Sequence, residues 1–75
     1  MITVRDIYLH VLALSGNGLP PEEAANRASE MAPGTGFPMM GRVQTERTIR
    51  LDFRDGESIY FDGKDWHHWR RWPRP

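Results

Sequence analysis

Two short segments on either side of Asp55-Gly56 constrain the fold more tightly than any other part of the chain. Ile49, Leu51 and Phe53 alternate with Thr48, Arg50, Asp52 and Arg54, and this period of two marks a half-buried strand. Ile59 and Phe61 supply apolar side chains after the turn. Neighbouring residues of a strand point to opposite faces. A two-residue loop would therefore set Phe53 against Ser58 and Leu51 against Tyr60, sending Ile59 and Phe61 to the other side. A three-residue loop, Arg54-Asp55-Gly56 with Gly56 in the left-handed bulge position, sets Leu51 against Ile59 and Ile49 against Phe61, so all the apolar side chains share one face. The reading is a hairpin of strands 45–54 and 57–61. A second turn at Asp62-Gly63-Lys64 leads to a third strand over 65–70. The length of that turn decides whether Trp66 or Trp69 joins the core face, and the sequence leaves both open.

Strands this short need a covering layer, and the first third of the chain provides one. Val4, Ile7, Tyr8, Val11 and Leu12 recur at i, i+3, i+4, i+7 and i+8, with Leu9 and Leu14 widening the stripe, which is the signature of an amphipathic helix buried on more than one side. Thr3 and Asp6 form a capping-box pattern at its start, and Gly16-Asn17-Gly18 stops it, giving a helix over 4–15. Pro20-Pro21 followed by Glu22 and Glu23 opens a second helix over 21–31, with Ala24, Ala25, Ala28 and Met31 on its inner face. Pro33 and Gly34 end it and begin a loop over 32–44. The predicted fold class is α+β: an N-terminal helical hairpin packed on a three-stranded antiparallel β-meander, as one domain with a C-terminal tail over 71–75.

Seventy-five residues supply only about 3 to 5 kcal/mol of net stability from a single core, so self-association is an attractive supplement. The absence of cysteine excludes disulfides and thiolate metal sites and suits a cytoplasmic location. No apolar run approaches the roughly 20 residues of a membrane span, and no leader-like segment opens the chain, so a membrane role is not expected.

The most unusual chemistry lies at the carboxyl end. Residues 64–75 hold all three tryptophans, at 66, 69 and 72, and two of the three histidines, His67 and His68. Lys64, Arg70, Arg71 and Arg74 face only Asp65 there, so this end is basic and the remainder acidic within a chain of net charge zero. Trp and Arg are the side chains most enriched at binding hot spots. The reading is a non-catalytic protein-binding module. Trp69, Arg70, Arg71 and Trp72 form its contact surface, assisted by Phe37, Met39 and Met40, whose soft side chains suit irregular apolar contacts. The more ordinary role for those three loop residues is to cap the open end of the core. By size and style the chain suits a small bacterial or phage accessory protein, an inhibitor or modulator of a larger protein, with homodimerisation through the same surface.

Other chemistries find less support. Adjacent His67 and His68 would point to opposite faces of a strand and would not chelate one metal together, so neither metal nor cofactor is expected. The carboxylates occupy ordinary helix-start, turn and outward-strand positions, and no serine lies in a nucleophile-elbow pattern, which argues against an enzyme. Pro33-Gly34-Thr35-Gly36 lacks the Lys-Ser/Thr pair that a phosphate-binding loop requires. Nucleic acid is the second choice of partner, through stacking and phosphate pairing by the Trp/Arg/His-rich segment; the mixed charge of the strands weighs against it.

Overall fold

The computed structural model describes residues 1–70, and the tail over 71–75 lies outside the described residues. Helix α1 (Val4–Gly16) and helix α2 (Pro21–Met31) are followed by a single 3₁₀ turn, Ala32–Thr35, and then by strands β1 (Gly41–Gln44), β2 (Ile49–Asp52), β3 (Glu57–Phe61) and β4 (Trp66–Arg70). The strands form one antiparallel sheet in the order β1-β2-β3-β4. The class is α+β, with the helix pair on one face of the sheet.

The local signals explain the helices. At α1 the Thr3 hydroxyl accepts from the Asp6 amide at 3.1 Å, and the Asp6 carboxylate accepts from the Thr3 amide at 2.8 Å. The Thr3 amide, and after it the Thr3 hydroxyl, hold the Asp6 carboxyl below its usual range. Helix α2 starts with Pro21 in its first turn and buries Ala24, Ala25 and Ala28, small side chains that let it lie close to α1. The core joins Val4, Ile7 and Val11 of α1 and the three alanines of α2 to Ile49, Leu51, Phe53, Ile59 and Trp66 of the sheet.

The β2–β3 register is the one that parity requires. Leu51 pairs with Ile59 and Ile49 with Phe61, around the loop Arg54–Gly56 in which Gly56 has φ 76°. The second turn is tighter: the Asp62 amide donates to the Asp65 carbonyl at 3.1 Å, leaving Gly63 and Lys64 as a two-residue turn with Gly63 at φ 101°. Phe61 therefore faces Trp66. Trp66 is the core tryptophan, 4% exposed, and Trp69 projects from the other face, 51% exposed.

Three expectations are corrected. The sheet has four strands rather than three, because Gly41–Gln44 inside the supposed 32–44 loop pairs with β2. The predicted strand 45–54 contains a turn: the Thr45 amide donates to the Thr48 carbonyl, and the Thr48 amide to the Thr45 hydroxyl. Two threonine hydroxyls shape this reversal where glycine or proline would have announced it. Finally, Leu9 and Leu12 are not interior; they are 47% and 38% exposed, because a two-layer domain touches α1 along one stripe and leaves its outer flank bare.

Candidate functional site

Alternation along the strands divides the sheet into two unlike faces. Residues Arg42, Leu51, Ile59 and His68 form one row across the four strands, and Gln44, Ile49, Phe61 and Trp66 another; these rows face the helices. Between them lie the rows Val43, Arg50, Tyr60, His67 and Gly41, Asp52, Ser58, Trp69, which occupy the face away from both helices. That open face carries Trp69 and Tyr60 on neighbouring strands, with Arg50 and His67 beside them, around a shallow cleft of about 540 Å³.

The polar groups of this face are held in place by internal pairs. Arg50 Nε lies 3.1 Å from Asp52 Oδ1, and Ser58 Oγ, itself buried, donates to the same oxygen at 2.9 Å. Across the hairpin, His67 Nε2 lies 2.8 Å from Asp62 Oδ2. Asp62 Oδ1 accepts from the Lys64 and Asp65 amides, each at 2.8 Å. The Asp65 amide, then His67 and then the Lys64 amide lower the Asp62 carboxyl to about 2. The result is a platform of internally paired polar groups from which the indole of Trp69 protrudes.

A second cleft of about 630 Å³ lies on the helix side of β4, lined by Thr3, Arg5, Glu57, His68 and Arg70. Here Glu57 Oε1 is 2.8 Å from His68 Nε2 and 3.7 Å from Arg70 Nε. The His68 ring packs against Tyr8 at 5.5 Å between centroids, and the Tyr8 hydroxyl donates to the Trp66 carbonyl at 3.3 Å. His67 and His68 thus point to opposite faces and each takes its own carboxylate. Among the described residues no group of three or more His, Asp or Glu side chains is placed to hold a metal ion. Nor is any helix there long and apolar enough to cross a membrane.

The structure separates the residues that the sequence grouped. Trp69 lies on the open face and Arg70, its neighbour, on the helix side; Arg71 and Trp72 fall outside the described residues. Phe37, Met39 and Met40 precede β1, the edge strand of the sheet opposite β4. Phe37 is stacked under the Arg54 guanidinium at 3.6 Å. Met39 is half-buried against the core, with Ser29 Oγ 3.6 Å from its sulfur. Phe37 and Met40 both stand into solvent, at 43% and 69% exposure. Tyr60, Arg50 and His67 join Trp69 without having been singled out as site residues. The signal for them was present in the Leu51–Ile59 register, which places Arg50 and Tyr60 opposite each other on the outward face.

Comparison of this chain with protein-family models, with curated proteins and with solved structures found no match.

Proposed function

We propose that this protein is a non-catalytic binding module that engages a larger protein through the open face of its sheet, modulating that partner by occupying part of its surface. The observation that carries the reading is the placement of Trp69: a half-exposed indole on the face opposite the helices, beside Tyr60, Arg50 and His67. An indole anchored in a strand gains contact area with little further loss of freedom, and Trp, Tyr and Arg are the residues on which interface energy concentrates. A rigid sheet also holds such side chains more accurately than a loop does.

Charge supports a protein partner over a polyanion. Arg50 is matched by Asp52 and His67 by Asp62, so among the described residues the open face offers no run of uncompensated cations of the kind that drives counterion release. The test is affinity capture from the cells that make the protein, with wild type and Trp69→Ala run side by side and titrations of single- and double-stranded nucleic acid at two salt concentrations. The reading predicts proteins retained by wild type and lost from the variant, with no salt-sensitive nucleic-acid affinity. Identical captured sets, or nucleic-acid binding that collapses as salt rises, would overturn it.

A further inference from the structure

The open face carries hydrogen-bond donors that the chain itself does not use. The Trp69 indole N–H and the Tyr60 hydroxyl have no hydrogen-bond partner among the described residues. Arg50 engages Asp52 through Nε alone, which leaves the remaining N–H groups of its guanidinium. The carboxylates of this face are already engaged. Asp52 Oδ1 accepts from Ser58 Oγ and lies against Arg50, and Asp52 Oδ2 accepts from Arg50 Nε at 3.3 Å. Asp62 serves two turn amides and His67. The cleft of about 540 Å³ therefore offers aromatic surface and donors, with both nearby carboxylates committed to internal bonds.

This imbalance selects among ligands. An extended peptide of ordinary residues brings one N–H for every carbonyl, and a sugar brings hydroxyls that donate as well as accept. Both arrive with donors for which the face holds no uncommitted carboxylate. Proline has no N–H, and the carbonyls of a polyproline II helix have no internal partner. A proline-rich segment thus presents acceptors without donors, on a preformed backbone that loses little freedom on docking. The spacing agrees. Tyr60 pairs with His67 and Trp69 with Ser58, so Tyr60 and Trp69 are diagonal neighbours on one face, roughly 7 to 8 Å apart at the backbone. Residues two or three apart in polyproline II lie about 6 to 9 Å apart along the axis, so one such segment can rest a ring on each aromatic side chain.

We propose that the open face binds a proline-rich segment of a partner protein in the polyproline II conformation. Proline rings lie against Trp69 and Tyr60, and the segment's carbonyls accept from the Trp69 indole N–H, the Tyr60 hydroxyl and the Arg50 guanidinium. The inference rests on the open-face reading above and names the chemistry of what that face holds. Arg50 and His67 are each paired with a carboxylate of the chain, so the ligand needs no charge of its own at this site.

The test is an NMR titration of the isotopically labelled protein with decaproline to about 2 mM, beside a glycine-serine peptide of equal length. Decaproline should shift the Trp69 indole N–H and the Tyr60 and Arg50 signals saturably. The Trp66 indole N–H, which is buried, should stay in place, and the glycine-serine peptide should move none of them. Tyr60→Phe, which keeps the ring and removes the hydroxyl, should weaken binding about two- to tenfold. Trp69→Ala should weaken it at least about tenfold, with core methyl signals unchanged in both variants. No saturable shift, an equal response to the two peptides, or undiminished binding by Trp69→Ala would each refute the inference. So would open-face shifts that follow protein concentration without peptide, which make a second copy the occupant. The capture experiment separates the two readings: if Trp69→Ala still loses its protein partners while decaproline fails to bind, the open face engages a partner of other chemistry.

Discussion

Asp62 makes three contacts with two oxygens: it closes the Gly63–Lys64 turn through two amides and orients His67 on the open face. Its carboxyl is depressed from 3.8 to about 2. Because the folded value lies below the unfolded one, the carboxylate's contribution to stability is fully present above about pH 4 and is lost as pH falls toward 2. Thermal unfolding at pH 5, 3 and 2 should show wild type losing stability over this interval more steeply than Asp62→Asn; parallel losses would remove Asp62 from the account. Gly63 makes a matching prediction in the same turn. At φ +101°, with a Cβ that would lie 3.3 Å from the Arg47 carbonyl, Gly63→Ala should cost about 1 to 2 kcal/mol in a urea titration, through backbone strain together with that close approach.

At the scale of elements, the β2–β3 hairpin is the member on which the rest depends, because its inward side chains meet both helices. Leu51 is wholly buried at its centre, and truncating such a leucine to alanine costs about 2 to 5 kcal/mol. A domain of this size has about 3 to 5 kcal/mol in hand, so Leu51→Ala should leave circular dichroism and chemical-shift dispersion largely those of an unfolded chain. This hairpin was legible in the sequence because parity admits one register that gathers Ile49, Leu51, Ile59 and Phe61 on a common face. Strand β1 was not legible. Gly41-Arg-Val-Gln carries one large apolar residue, and that residue, Val43, faces outward, so no alternation announces a strand; the turn at Thr45–Thr48 is built from hydroxyls. The choice between Trp66 and Trp69 turned on a single residue of turn length. A helical stripe records which residues are apolar but not how many neighbours a thin fold can provide, which is why Leu9 and Leu12 read as interior. Of the candidate site, Trp69 was visible from composition. The company it keeps depended on strand register, and the distance from it to the Phe37–Met40 segment depended on the unrecognised edge strand.

The whole molecule is a thin two-layer body whose helices cover one side of the sheet and leave the other bare. The proposed reading assigns stability and recognition to opposite faces: Ile7, Val11, Leu51 and Ile59 are fully buried on one, and the half-exposed Trp69 stands with Tyr60 on the other. Substitution on the bare face should consequently separate the two properties. Trp69→Ala should change unfolding free energy by at most about 1 kcal/mol while removing partner binding. A loss of several kcal/mol would instead place the indole among the groups that hold the fold together. The most direct measurement is chemical-shift mapping of the isotopically labelled protein during titration with a partner recovered by wild type and not by Trp69→Ala. The account predicts that the largest perturbations fall on Arg50, Tyr60, His67 and Trp69 and leave Phe37 and Met40 unmoved. Perturbations confined to the Phe37–Met40 segment or to the helix face, with the four open-face residues silent, would contradict it.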